Sequence, residues 1–290
     1  MKNTRIHFAL LAAFTGSALF VPLTGFAEDA PAAAAATPPA PPYTLTTNVN
    51  LVTDYYFRGI TQTWHKPAIQ GGADYVHSSG WYAGIWGSNV SNNTYPGGSA
   101  LEFDYYGGYN GKITDDFGWT AGVHGYAYPG ADFNKNYTAN AATPSVKYDT
   151  FEWNAGMSYK WASVKYSRQL TNWFGADKGT GFNSDSKGSS YLEGNIAYEF
   201  IPTWTLNLHA AHTDVTAKLI VPGGTLDPSY NDYLLGVTKG FDGGWTAQAA
   251  YAKSNYKANA FWKPTASLAN ATTLGDPGEG RLIVTVGRAF

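Results

Sequence analysis

The sequence has no cysteine, few charged residues and, beyond its N-terminal segment, no long apolar run. None of the 290 residues is Cys, which excludes disulfides and cysteine metal sites. No later apolar run reaches the about 18 residues that a membrane-spanning helix requires. Lys and Arg number 19 against 21 Asp and Glu, a balance without the basic excess of a nucleic-acid-binding protein, so no nucleic-acid partner is expected.

The N-terminus has the pattern of an export signal. Lys2 and Arg5 precede an apolar stretch, and small residues around Ala27 suit a signal peptidase. We therefore predict a cleaved signal peptide at residues 1–27. Residues 28–43 are rich in Ala and Pro, cannot bury a core, and are predicted to form an exposed tether. The remainder, 44–290, is long enough for one large β domain or a closed barrel.

What is present indicates a membrane β-barrel. Aromatic residues make up 16% of the chain, with 21 Tyr and 10 Trp, and there are 33 Gly, yet only 14% of residues are charged. The mean hydropathy is still -0.27, as expected when only one face of each strand meets lipid. A secreted β-sandwich with an aromatic core is the alternative that composition leaves open.

The hydrophobic pattern has the period of β-strands. Leu101, Phe103 and Tyr105 alternate with Glu102 and Asp104, which places apolar side chains on one face and charged ones on the other. We predict about twelve such strands, an even number that is typical of bacterial barrels. Their predicted ranges are 45–57, 68–76, 81–90, 100–110, 118–128, 149–160, 161–171, 190–200, 203–214, 230–239, 245–256 and 281–290.

The predicted connections alternate between short and long. Those after even strands are tight, such as 77–80 and 240–244, and those after odd strands are mostly long and polar, such as 59–67 and 257–280. In a closed up-and-down barrel, alternate connections lie at the same end, and outer-membrane barrels have short periplasmic turns and long external loops. The pattern therefore predicts a single antiparallel up-and-down transmembrane β-barrel in the outer membrane.

Tryptophans recur at one position relative to the short turns. Each opens a strand directly after a turn, which predicts a ring where hydrocarbon meets lipid headgroups. A sandwich core has no reason for such regular placement. These predicted interface residues are Trp81, Trp119, Trp161, Trp204 and Trp245.

Three segments resemble a known family. The sequences VTDYYFRGITQT, PAIQGGADYVHSSGWYAGIWGSNV and EFDYYGGY, within residues 48–110, are similar to the N-terminal half of the TorF family of porins, a proteobacterial family formerly of unknown function. The resemblance implies an outer-membrane barrel and a channel, without a catalytic motif. The amphipathic last strand, which ends at Phe290, resembles the signal read by the barrel-assembly machinery, although that signal usually has an apolar or aromatic residue where this chain has Arg288.

Charged residues of both signs, with acids in excess, are predicted to line the pore. Fixed charges there select ions by electrostatics, and the same groups could instead pair across the lumen and brace a plug. About twelve strands leave a narrow, partly obstructed path, so small solutes or ions are the expected cargo. The candidates are Asp54, Arg58, Glu102, Asp104, Glu152, Lys160, Lys165, Glu193 and Glu199.

Arg58 is the most specific single candidate. Near the external end it could bind a carboxylate or phosphate of a solute, because its donors suit bidentate contact. Alternatively, it could pair with Asp54 or Asp104, with Gly59 relieving a bend.

No catalytic, metal or cofactor motif is found. There is no GxSxG sequence, and the histidines at 209 and 212 fall on opposite faces of a strand, which is wrong for a shared metal. The expected partners are outer-membrane lipid, the barrel-assembly machinery and small hydrophilic solutes. The sequence thus predicts a non-enzymatic, porin-like channel for passive diffusion. A non-conducting structural or surface-interaction barrel that acts through its external loops is the alternative.

Overall fold

The structure is a computed structural model that describes residues 41–92, 94–95, 99–135, 144–255 and 276–290. The predicted signal peptide and the tether up to residue 40 lie outside the described residues. Within the described ranges, no helix has the length and apolar character needed to span a membrane.

Twelve strands form one closed antiparallel barrel. In chain order the strands are β1 (Tyr43–Val52), β2 (Tyr56–Phe57), β3 (Ile60–Thr61), β4 (Ala68–His77), β5 (Trp81–Asn89), β6 (Leu101–Lys112), β7 (Phe117–Ala127), β8 (Thr150–Tyr159), β9 (Ala162–Gln169), β10 (Ser190–Ile201), β11 (Trp204–Asp214), β12 (Leu219–Val221), β13 (Gly224–Leu226), β14 (Tyr230–Gly240), β15 (Trp245–Ser254) and β16 (Arg281–Ala289). The barrel order is β1-β4-β5-β6-β7-β8-β9-β10-β11-β14-β15-β16, and β16 pairs back with β1. The predicted all-β, up-and-down architecture is confirmed.

The remaining described elements are short. β2 pairs with β3, and β12 pairs with β13, each as a separate two-stranded sheet. Four single-turn 3-10 helices lie in connections: Phe133–Lys135, Trp173–Gly175, Lys178–Thr180 and Asp242–Gly244.

Short and long connections lie at opposite ends of the barrel. The short ones, at the end that we call the short-turn end, are 78–80, 113–116, 160–161, 202–203 and 241–244. The long ones, at the long-loop end, are 53–67, 90–100, 128–149, 170–189, 215–229 and 255–280. This is the alternation that the sequence predicts.

Each barrel strand presents apolar side chains outward and polar side chains to the interior. On β6, Leu101 and Tyr105 are 46% and 47% exposed, whereas Glu102 and Asp104 between them are fully buried. This is the reverse of a water-soluble protein, where charges face outward. We call the inward-facing side of the barrel strands the inner wall.

One element differs from its prediction. The first strand, expected over 45–57, ends at Val52, where the backbone bends, and the expected external loop over 59–67 is not external. Residues 53–67 instead turn into the lumen, and all residues from Asp54 to Thr63 are buried. We call residues 53–67 the plug segment. Alternating polarity predicts strand conformation, but it does not tell whether a strand stays in the sheet or leaves it.

Aromatic side chains from the long loops pack over the plug segment. Tyr95 stacks on Tyr128 with ring centroids 3.9 Å apart, and Phe133 stacks on Tyr148 at 5.1 Å. The Tyr95 hydroxyl also donates a hydrogen bond to Gln62 of the plug segment. The long-loop half of the barrel is therefore packed.

The short-turn half of the interior is different. Its inward-facing side chains are mostly small, polar and partly exposed to solvent, and they include Asn48, Asn50, Thr120, Asn154, Ser163, Thr205 and Thr285. We call this half the vestibule. The named side chains of the vestibule are therefore partly accessible to solvent.

The turn between β14 and β15 offers a test of barrel closure. Gly243 and Gly244 both have positive φ, but a Cβ on Gly244 would overlap the backbone of Ala289 in the closing strand, whereas one on Gly243 meets only the Trp245 ring at 3.9 Å. We expect Gly244→Ala to lower the free energy of unfolding by about 2 to 4 kcal/mol and Gly243→Ala by about 1 kcal/mol. Urea unfolding of the refolded variants in micelles measures both. Equal effects would contradict the close contact with β16.

Candidate functional site

The plug segment folds as a tight β-hairpin. β2 and β3 are joined by Arg58 and Gly59, whose φ angles are 47° and 73°. Positive φ at both central residues is the geometry of a two-residue hairpin turn whose twist matches that of its strands. Glycine adopts it freely, but an arginine there is strained, and such strain persists only when other contacts hold the residue.

Asp54 holds the base of the hairpin. Its carboxylate accepts hydrogen bonds from the hydroxyls of Thr61 at 2.5 Å and Thr63 at 3.1 Å, and its other oxygen lies 2.8 Å from Nδ1 of His65. The hairpin is also tied to the last long loop, because the amide of Thr61 donates to the carbonyl oxygen of Pro277 at 2.8 Å. These contacts fix the position at which Arg58 enters the lumen.

Arg58 binds to the inner wall of β8. Its Nη2 atom donates to both carboxylate oxygens of Glu152, at 2.8 and 2.9 Å, and its guanidinium lies 4.3 Å from the ring centroid of Tyr191. Both charged side chains are almost fully buried. Burial alone would lower the pKa of Arg58, but the adjacent Glu152 carboxylate raises that pKa above its ordinary value, so the guanidinium remains charged.

The wall of β14 and β15 also contacts the hairpin turn. A Cβ atom on Gly59 would overlap the side chain of Asp232 on β14 and lie 3.3 Å from Cβ of Ser254 on β15. Arg58 reaches β8 while Gly59 contacts β14, four strands further round the barrel, and the hydrogen bond from Tyr191 to Asp232 joins the two contacts. Only glycine fits at the second turn position.

A second network lies next to Tyr191. Lys165 pairs with Glu193 at 2.9 Å, and His209 Nε2 lies 2.9 Å from an Asp232 oxygen. Asn195 bridges the two pairs, since it donates to Glu193 at 3.0 Å and its carbonyl oxygen lies 2.6 Å from His209 Nδ1. The wall charges are thus joined by hydrogen bonds rather than isolated.

Carboxylates outnumber cations in the interior. On β6, Glu102 accepts from the Tyr128 hydroxyl at 2.8 Å, and Asp104 lies 2.9 Å from His124 Nε2. Arg58 and Lys165 are the two Lys or Arg side chains buried within the described chain. Seven carboxylates also face the interior, those of Asp54, Asp74, Glu102, Asp104, Glu152, Glu193 and Asp232.

Most predicted pore-lining residues lie on the inner wall or plug segment, but two do not. Asp54, Arg58, Glu102, Asp104, Glu152, Lys165 and Glu193 are all buried in the interior. Lys160 instead lies in the turn between β8 and β9, half exposed, with its Nζ 3.5 Å from Asp116. Glu199 is exposed at the short-turn end and accepts a hydrogen bond from the amide of Thr203. Strand alternation assigned both to the interior, but a residue beside or within a turn is no longer enclosed.

The partner of Arg58 also differs from the prediction. The guanidinium pairs with Glu152, not with Asp54 or Asp104, because the plug segment carries it across the lumen. The neutral side chains around this pair, Tyr126, Gln169 and Tyr191, were not predicted at all. Alternation could assign them to the inner wall, but no sequence signal indicates which strand the hairpin meets.

The five predicted interface tryptophans are all on the outer surface beside the short turns. Their exposed fractions range from 37% for Trp119 to 62% for Trp81. Arg288, which departs from the usual terminal pattern, lies over the rings of Trp245 and Phe290 at 5.3 and 4.6 Å. The cation therefore packs against aromatic faces at the level of this ring.

The interior has no arrangement suited to a metal. Within the described ranges, no group of three or more His, Cys, Asp or Glu side chains could hold a metal ion. The chemistry that the interior offers is hydrogen bonding and electrostatic attraction of polar or charged groups.

Comparison with known proteins places these features in context. A family model described as a bacterial protein of unknown function (Gcw_chp) matches residues 35–290, which include every barrel strand. No curated protein matches the chain. The KdgM porin in complex with disordered oligogalacturonate is 9% identical, with a TM-score of 0.49, and the match covers 85% of this chain and 99% of that one. The NanC porin is 8% identical, with a TM-score of 0.48, and the match covers 85% of this chain and 99% of that one. The TodX deltaS2S3 mutant, a monoaromatic hydrocarbon channel, is 10% identical, with a TM-score of 0.42, and the match covers 86% of this chain and 90% of that one.

Removal of one partner of the buried pair tests its role. Glu152→Gln leaves the Arg58 guanidinium buried without a counter-charge, so we expect a loss of about 3 to 5 kcal/mol in the free energy of unfolding, or release of the plug segment. The matched control is Lys218→Gln, which breaks a half-exposed pair with Asp227 and costs at most about 1 kcal/mol. Urea unfolding together with protease accessibility of the plug segment distinguishes the two responses. Equal small losses, with the plug segment still protected, would contradict the account.

Proposed function

We propose that this chain, which belongs to the bacterial family Gcw_chp, is an outer-membrane, porin-like channel for passive diffusion of small hydrophilic solutes or ions, closed at rest by its plug segment. The observation that carries the proposal is a closed barrel with an apolar exterior and a charged interior.

The exterior supports a membrane location. Apolar side chains on the barrel strands are exposed to an extent that a soluble surface does not tolerate, for example 67% for Leu282 and 64% for Leu45. A closed sheet satisfies all its backbone hydrogen bonds between strands, which is what a segment in lipid requires. The barrel strands have 8 to 12 residues, close to the about 9 to 11 that span a bilayer at a tilt. The partner of the outer surface is then outer-membrane lipid.

The interior supports a path for polar solutes. The vestibule presents hydroxyl and amide groups to solvent, and the charged networks begin where the plug segment crosses the lumen. If the hairpin moved out of the lumen, the same wall would line a continuous polar channel. Because carboxylates are in excess, this channel is expected to prefer cations over anions.

Export and assembly complete the proposal. The sequence of residues 1–27 has the pattern of a signal peptide, and the terminal strand ending at Phe290 would be recognised by the barrel-assembly machinery. The TorF resemblance over residues 48–110 agrees with such a channel. Enzymatic activity is not part of the proposal.

The alternative is a non-conducting barrel that acts through its external loops. The dense packing of aromatic loop residues over the plug segment favours it, because each such contact stabilises the closed state. The two functions differ in one respect, namely whether release of the plug segment allows solutes to pass.

Two glycine substitutions separate these functions. Gly59→Ala adds a side chain where Asp232 leaves no room, so it favours the displaced hairpin, whereas Gly223→Ala has the same positive-φ cost in a loop with nothing within 4 Å. A bias of about 1.4 kcal/mol raises the displaced fraction about tenfold. We expect Gly59→Ala to increase swelling rates of proteoliposomes in small sugars and salts about tenfold over the Gly223→Ala variant. Impermeable liposomes with both folded variants would favour the non-conducting barrel.

A further inference from the structure

The inner wall contains a binding pocket for a planar cation, and the side chain that fills it is the chain's own Arg58. The pocket consists of the Glu152 carboxylate, the Tyr126 hydroxyl and the face of Tyr191. The Tyr126 oxygen lies 3.5 Å from the guanidinium and donates to Glu152 at 3.1 Å. All three wall residues belong to barrel strands, so the pocket and its occupant are carried by different parts of the fold.

The wall residues are held in place without the arginine. Gln169 donates to the second Glu152 oxygen at 2.7 Å, and the Thr150 hydroxyl in turn donates to Gln169 at 2.6 Å. The Tyr191 hydroxyl donates to Asp232 at 3.2 Å, which fixes its ring. When the hairpin leaves, the pocket therefore keeps its shape and loses only its cation.

The vacated pocket would attract a positive group. Among the described residues, Lys165 is the one buried Lys or Arg side chain on the inner wall. It is already paired with Glu193. Glu152 would then be a buried carboxylate without a counter-ion, a strongly unfavourable state unless a cation returns. Either Arg58 or a cationic solute can satisfy it.

We propose that this pocket is a subsite for the guanidinium group of a permeating solute, which competes with Arg58 and so couples solute entry to displacement of the plug segment. The inference rests on the proposed channel function and names its solute class. Arg58 serves as a tethered copy of the ligand. A guanidinium fits better than an ammonium because it is planar, more weakly hydrated and stacks on aromatic rings, and that of Arg58 lies 4.3 Å from the Tyr191 ring centroid.

Chemical rescue tests the pocket without any transport. In Arg58→Ala, methylguanidinium at about ten times its dissociation constant should raise the midpoint of thermal unfolding by about 3 °C, whereas methylurea, its neutral counterpart of similar shape, should not. The double variant Arg58→Ala/Glu152→Gln should lose the response, because a charge-assisted contact is worth at least about tenfold in affinity. Rescue that is equal for both compounds, or that persists in the double variant, overturns the subsite.

Wild-type protein provides the second measurement, which is decisive if Arg58→Ala does not fold. Methylguanidinium should open the channel in planar bilayers more often than methylammonium at the same concentration, and methylurea should have no effect. No difference among the three, in channels that do open, overturns the subsite and leaves Arg58 as a structural brace. Channels that never open in any condition contradict the proposed function instead, and the thermal measurement then judges the pocket alone.

Discussion

The structure depends on one constraint, that a closed β-barrel gives every second residue to the interior. With apolar side chains outside, charged side chains such as Glu102, Glu152 and Glu193 are directed into a narrow space, where a charge without a partner is costly. Most charges on the inner wall are therefore paired with a neighbouring wall residue, as Lys165 is with Glu193. Glu152 has no cation on the wall beside it, and the plug segment supplies one.

The plug segment therefore has two roles that follow from the same contacts. Arg58 neutralises a buried carboxylate, which stabilises the closed barrel, and the same contact holds the hairpin across the path that solutes would take. Because Gly59 fits tightly against Asp232, the hairpin turn is held at a second point on the wall as well as at Glu152. In the proposed channel, hydrogen bonds and ion pairs of the inner wall hold the plug segment, so opening requires no change in the barrel strands.

Much of the fold is predictable from the sequence because its signals are local. The alternation on β6 follows the two-residue period of a strand, and each tryptophan directly follows a short turn. Both signals are visible in neighbouring residues. The route of residues 53–67 is not local, because strand-like alternation continues through Phe57 although the chain has already left the sheet. The predicted interior positions of Lys160 and Glu199 are wrong for a related reason. Alternation tells which face of the sheet a side chain is on, but not how far from the end of the barrel it lies. The partner of Arg58 depends on that unpredicted route, so the pair with Glu152 could not be foreseen.

The central claim is that the plug segment closes a path that is otherwise open. The chain has no native cysteine, so a pair introduced at Gln62 and Ser91, whose backbones are joined by a hydrogen bond of 2.7 Å, would lock the plug segment to the base of a neighbouring loop. The decisive measurement is the current through single channels of this double variant before and after reduction of the disulfide. The account predicts silence while the disulfide is intact and discrete openings after reduction. Equal conductance in both states, or silence in both from folded and inserted protein, would contradict it.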